Sequence, residues 1–241
     1  MVNAALTRYF RGECRVSATA PIANPESALA VGYARPALRP ALEALLDLDS
    51  ALGAVLRTTR EPLVGQMRLT WWHEALTRLD SAPPPAEPIL VALAATVLPL
   101  GVSGARLATM IDGWEELLDD DLSRDEAMMG FAERRGAGLF GMAGQLLGAR
   151  PDDPLAAAGT GWALVDLARH LRDRSAGEKA LDMARAALGI ATRSRWSRDT
   201  RALGALAHLA SFDAAVPLDR PLPIGAPRRV ARLAWHRLTG R

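Results

Sequence analysis

LEALLDLDSALGAVLRTTREPLVGQMRLTWWHEAL, residues 42–76, is the stretch whose reading decides the fold. With Leu38 just upstream, leucines recur at 38, 42, 45, 52 and 56, at spacings of three, four and seven. Residues so spaced share one side of an α-helix, so the pattern predicts a helix over 36–58. Glu61-Pro62 then opens a second helix, because proline fits a first turn whose N–H would have no partner in any case. This helix is expected to run through Met67, Trp71 and Trp72 to Leu79. Its apolar residues point in nearly all directions, which predicts a helix buried among others.

The same period extends outward in both directions. The proline-rich stretch Ser81 to Pro88 must be a loop. Further helices are expected over 89–98 and 103–118, then from a capping box at Ser123-x-x-Glu126 to Leu147. Others follow at 155–174, 177–192, 199–212 and 226–238. Period-two alternation is nearly absent, and no linker forces a boundary. The expectation is one all-α domain over 1–241.

Composition agrees and excludes other classes. The 241 residues are 49% hydrophobic and 23% charged, which is not a disordered composition. A single cysteine, Cys14, excludes a disulfide scaffold and a cysteine-built zinc site. A net charge of +2 gives no reason to expect nucleic acid as a partner. Of the basic residues only Lys179 is lysine, a bias read here as one of coding. The total charge conceals two poles. Residues 112–126 hold eight acids and one arginine, while 193–241 hold ten arginines and three aspartates. The acidic run reads as a divalent-ion site or, more simply, a solvated loop. In the last helix Val230, Leu233, Ala234 and Leu238 share one side, with Arg228, Arg229, Arg232 and His236 mostly on the other. Such a basic amphipathic helix lies on anionic lipid, docks on a partner, or packs its apolar side on the bundle. No transmembrane segment is expected: Ile89 to Ala105 is interrupted by Pro99, Gly101 and Gly104. The N-terminus lacks the basic start and apolar run of a secretory signal, so the expected compartment is the cytoplasm.

Three groups of residues are candidates for chemistry. Gly136-Ala137-Gly138-Leu139-Phe140-Gly141 spells G-x-G-x-x-G, but no strand precedes it, as a dinucleotide fingerprint requires. Gly136, Gly141, Gly144 and Gly148 read instead as points of close helix approach. Asp49 falls in the centre of the leucine stripe, where a carboxylate needs a partner, a metal or a wet cavity. It has no acidic mate at i+4. In GWALVDLARHLRDR, residues 161–174, Asp166, Arg169 and Asp173 form a stripe with Trp162 on the same side. That stripe either faces Asp49 across a cavity or is a solvated face knitted by ion pairs.

These segments, in this order, resemble the squalene/phytoene synthase family. The acid-bearing helix is followed by Arg68-Leu69-Thr70-Trp71-Trp72. The stretches IDGWEELLDDD and FAERRGAGLFGMAGQLLG are similar to the family's middle, and residues 161–174 to the helix of its second aspartate-rich motif. The likeness is strongest over 35–175.

The resemblance implies an isoprenoid-synthase bundle with a central cavity. It implies head-to-head joining of two prenyl diphosphates, with Mg²⁺ held by two D-x-x-x-D motifs. On that implication Asp49, Asp166, Arg169 and Asp173 are the diphosphate or metal candidates, and Trp71, Gly141, Gly144 and Trp162 line the cavity. The departures are equally specific. Asp49 lacks its partner, Asp173 has Gly177 at i+4, and Arg169 stands where an Asn or Asp is usual. The depleted motifs resemble a non-catalytic branch whose members assemble respiratory complex I. The expectation is therefore a protein that binds an isoprenoid or lipid ligand, or a protein partner at a membrane complex, without a cofactor and peripheral at the inner membrane. The alternatives are a Mg²⁺-dependent prenyl diphosphate transferase and a helical interaction module with no ligand.

Overall fold

Leu42, Leu45, Leu48, Leu52 and Leu56 are all buried, as their spacing requires, and the helix they define lies at the centre of the molecule. The computed structural model describes residues 24–59, 61–119 and 125–241. The N-terminal segment with Cys14, the capping residue Ser123, and Asp120 and Asp121 of the acidic run lie outside the described residues.

The helices in chain order are α1 (Pro25–Val31), α2 (Arg39–Thr58), α3 (Pro62–Arg78), α4 (Pro88–Thr96), α5 (Gly104–Asp119) and α6 (Asp125–Phe131). A π-helical segment, Ala132–Ala137, joins α6 to α7 (Gly138–Leu147). Then come α8 (Leu155–His170), α9 (Arg174–Arg193), α10 (Arg201–Ala214) and α11 (Pro227–Thr239). No β-strand occurs among the described residues, so the all-α reading holds. No single described helix is long and apolar enough to cross a membrane.

Helix α8 packs against the π segment, α7, α9 and α10, and α2 packs against α3, α4, α5 and α7. Small residues set the spacing. A Cβ on Gly161 would meet Leu188 of α9 at 2.5 Å, and one on Gly104 would meet the Leu76 carbonyl oxygen of α3 at 2.1 Å.

Two helices depart from expectation. Helix α3 is not buried all round: Leu63 and Met67 are each 71% exposed, and Trp71 is half-exposed. Its partners α2 and α5 cover only the side bearing Leu69, Trp72 and Leu76. Helix α11 is docked the other way up. Its buried side carries Arg229, Leu233 and His236, while Val230, Trp235 and Leu238 face water. Its charged side wins because partners await it. Arg229 donates from Nε and Nη2 to the Glu26 carboxylate of α1 (2.6–3.0 Å) and from Nη1 to Asp213 of α10 at 2.6 Å. Burial would raise the Glu26 carboxyl, but Arg229 and the Gly225 N–H more than offset this and lower it. The planar guanidinium meets both carboxylates at once, so turning this side inward leaves none of the three charges unpaired.

Two histidines complete the seat of α11. The His208 and His236 rings lie edge to face, 4.7 Å between centroids. His236 Nε2 lies 3.1 Å from the Arg201 carbonyl oxygen, and the Arg232 guanidinium 3.3 Å from His208 Nε2. Burial, and for His208 the charges of its neighbours, pushes the pair down to about 3 for His208 and about 4 for His236.

At these two positions the unfolded chain binds protons near pH 6.5, and the folded one only at about 3 for His208 and about 4 for His236. Stability from this pair is therefore complete above pH 6.5 and is lost as pH falls towards 4. The predicted loss is up to about 1.4 kcal/mol per pH unit for each histidine. Urea midpoints at pH 7 and 5.5 measure it, and His208→Gln should flatten the dependence. An unchanged slope in the variant would count against the histidine pair.

Candidate functional site

Asp49 of α2 is buried, as its place in the leucine stripe requires, and the charge that compensates it comes from the π segment. Arg135 is 3% exposed and reaches between α2 and α8. Its Nε and Nη2 donate to the two Asp49 oxygens, each at 2.8 Å, and its Nη1 donates to Asp166 of α8 at 2.6 Å. The guanidinium is also boxed by rings. Its central carbon stands 4.1 Å from the Trp114 ring centroid, 4.9 Å from Trp162 and 5.4 Å from Phe131. Such contacts add cation–π attraction where water is excluded.

The local sequence explains the placement. Phe131, Arg135 and Leu139 are each four apart, so Arg135 sits within an inward apolar row. Three glycines bring the backbones close around it. A Cβ on Gly113 of α5 would lie 2.7 Å from the Arg135 nitrogen. A Cβ on Gly136 would lie 2.1 Å from the Gly159 oxygen of α8, and one on Gly159 would lie 2.1 Å from the Gly136 oxygen. Helices cannot approach so closely with any larger residue at these positions. A π segment inside a helix commonly marks such a functional position.

Burial alone would raise the Asp166 carboxyl. The charge of Arg135, with His170 and Arg57, reverses this and holds it at about 2. The same two carboxylates, acting against burial, push the Arg135 guanidinium above its ordinary value.

Of the other candidates, Arg169 lines a pocket together with Asp166 and Trp162, and Asp173 does not. Helix α8 ends at His170 rather than continuing to Arg174, so Asp173 leaves the stripe. Exposed at the start of α9, it accepts the backbone N–H groups of Ser175 and Ala176 as a helix cap. Arg169 acts as a clamp, and its buried Nε has no hydrogen-bond partner among the described residues. Its Nη2 donates to the carbonyls of Asp213 (2.6 Å) and Val216 (2.7 Å), closing the end of α10. Trp71 is half-exposed on α3, and its ring meets Trp72 edge to face.

Of the glycines, Gly144 packs under Leu155, Gly141 meets nothing within 4 Å, and Gly148 ends α7 at φ 82°. Only Gly136 of the G-x-G-x-x-G run is needed for close helix contact. Of the expected lining residues, Trp162 borders a cavity. This pocket of about 220 Å³ is walled by Trp162, Val165, Leu206 and Leu209, with Asp166, Asp213, Arg169 and His170 at its polar side. The space between Asp49 and Asp166 is filled by Arg135 and its rings.

The match to known proteins can now be set against this geometry. The family model for squalene/phytoene synthase matches residues 23–216. The chain belongs to the squalene/phytoene synthase family. No curated protein and no solved structure matches it significantly. The match spans α1 to the end of α10, and so includes Asp49, Arg135 and Asp166.

The Mg²⁺ site that the family resemblance implies does not fit these residues. Both Asp49 oxygens and one Asp166 oxygen already accept from a fixed cation. No cluster of three or more metal-binding side chains exists among the described residues. Mg²⁺ demands near-octahedral oxygen ligands and binds through free carboxylates. A guanidinium in their midst supplies donors and positive charge instead.

Removing one partner of a buried ion pair strands the other. Arg135→Met is therefore predicted to destabilise the fold by about 3–5 kcal/mol. Adding Asp49→Leu in the same chain should recover much of that loss, since the stranded carboxylate is gone. Urea unfolding of the single and double variants measures the coupling. Simple additivity of the two losses would show that the pair is not energetically linked.

Proposed function

We propose that this family member does not carry out Mg²⁺-dependent prenyl transfer and acts by binding, in an assembly-factor-like role at a membrane complex. The observation that carries the reading is the Arg135 guanidinium held by Asp49 and Asp166. Departure of a diphosphate needs clustered cations that are free to meet its oxygens. Here the positive charge is already neutralised by two carboxylates, and its donors are directed at them. Arg135 is also roofed by Trp114 and Trp162, which leaves no face open to a leaving group.

The pocket beside this pair supports binding of a single apolar segment. Its volume of about 220 Å³ is below the range of about 300–1,000 Å³ usual for ligand sites. Joining two prenyl chains needs room for both at once. One short prenyl or acyl segment suits the Trp162, Val165, Leu206 and Leu209 walls. The exposed side of α3, with Leu63, Met67 and Trp71, supports a protein partner.

The test is incubation of the purified chain with farnesyl or geranylgeranyl diphosphate and Mg²⁺, followed by pyrophosphate release. The expected result is release no faster than a protein-free control, for wild type and Asp49→Asn alike. Release by the wild type that Asp49→Asn abolishes overturns the reading.

A further inference from the structure

Three stretches far apart in sequence bring arginines to one cleft. Arg35 and Arg39 come from the junction of α1 and α2, Arg198 and Arg201 from that of α9 and α10, and Arg237 from α11. The cleft has a volume of about 940 Å³, and the only acidic side chain in its lining is Asp199. Gathering five like charges on a folded surface is unfavourable unless something answers them.

Their internal contacts leave most of the charge unanswered. Arg35 pairs with Asp199 at 3.0 Å. Arg39 donates to the Gly32 and Ala34 carbonyls, Arg201 to the Arg237 carbonyl, and Arg237 lies 5.1 Å from the Tyr33 ring centroid. Those contacts hold side chains in place without cancelling their charges. Arg198 is exposed and has no bond or ion-pair partner among the described residues. The buried Nε of Arg201 also lacks a hydrogen-bond partner there.

An apolar surface begins where the cleft ends. Leu238, 76% exposed, is part of the cleft lining. Ala234 and Val230 precede it at i−4 and i−8, and Trp235 and Ala231 at i−3 and i−7, so all five run along one side of α11. Trp235 is 56% exposed and Val230 is exposed as well. This is the side that the Arg229 clamp turns to water.

We propose that the cleft and the outward side of α11 form a docking surface for anionic phospholipid. The headgroup phosphate is received by Arg198, Arg201 and Arg237, and the acyl chains lie against Leu238, Trp235 and Val230. Guanidinium groups match phosphate geometry through paired N–H donors. A tryptophan beside basic residues on an apolar helix face suits the depth of lipid headgroups. A lipid answers both halves of the surface at once, where free phosphate answers only the cleft. The inference goes beyond the proposed function, and its test reads no catalysis, so either can fail without the other.

The experiment is co-sedimentation of the full chain with vesicles of phosphatidylcholine alone and of phosphatidylcholine with phosphatidylglycerol. Binding is expected only with the anionic lipid and should weaken as salt rises. Arg198→Ala combined with Arg237→Ala should weaken it about tenfold or more, at about fivefold for each arginine near the surface. Trp235→Ser with Leu238→Ser should also reduce it. All four side chains are exposed, so unchanged circular dichroism is expected to show that the variants fold. Absence of binding to anionic vesicles at low salt overturns the proposal. So does binding that neither pair of substitutions alters, or full competition by inorganic phosphate at the ionic strength of a chloride control that has no effect. Capture of a protein by this face from a chain that ignores vesicles overturns it in favour of a protein partner.

Discussion

A buried charge must be answered within the fold, and at the centre of this molecule one guanidinium answers two carboxylates. Asp49 on α2 and Asp166 on α8 lie 117 positions apart, and Arg135 joins them from a third segment. The rest of the centre is arranged for that side chain. Gly113, Gly136 and Gly159 let α5, the π segment and α8 close to backbone contact. Trp114, Phe131 and Trp162 exclude water from its faces. Such a pair adds less net stability than its short distances suggest, because three charged groups were taken from water to make it. What it adds is register, since no other side chain among those around it could satisfy both acids.

The same chemistry recurs across the pocket that Asp166 and Asp213 share. Arg229 binds Glu26 and Asp213 and so fastens α11 to α1 and α10. Reading the excess of arginine over lysine as coding bias is adequate for solvated faces. It misses these two positions, where a planar fork spans two acceptors that an ammonium could not hold together. The orientation of α11 follows directly. Once Arg229 and His236 are turned inward, the side bearing Trp235 and Leu238 has nowhere to go but outward.

The fold was legible because leucine spacing reports burial directly. The stripe from Leu42 to Leu56 set α2, and the same stripe identified Asp49 as inward. Legibility failed where pairing, not periodicity, decides. Helix α3 reads as apolar all round, yet only one side finds a neighbour. The break after His170 has no proline or glycine to announce it, so Asp173 was placed in a stripe it does not share. Arg135 is hard to read from sequence because it stands beside a glycine run that resembles a known motif. Its position four residues from both Phe131 and Leu139 was the available signal, an ionisable residue in an apolar row. Nothing in one chain's sequence says that this residue and Asp49, 86 positions apart, would meet.

The π segment carries a consequence for how such a bundle changes over generations. It holds more residues per turn than the α-helices around it, so it behaves as a stored insertion. Loss of a single codon between 132 and 137 would close the wide turn to an ordinary α turn and leave the helix after it in register. The bulge that presents Arg135 and the close contact at Gly136 would then be lost, stranding Asp49, while Phe140 and Leu147 keep their places. A point substitution at Arg135 leaves the extra residue in place and strands Asp49. Two single-step routes out of the present arrangement thus both pass through a damaged fold, which makes the internal arginine a ratchet: easier to keep than to undo.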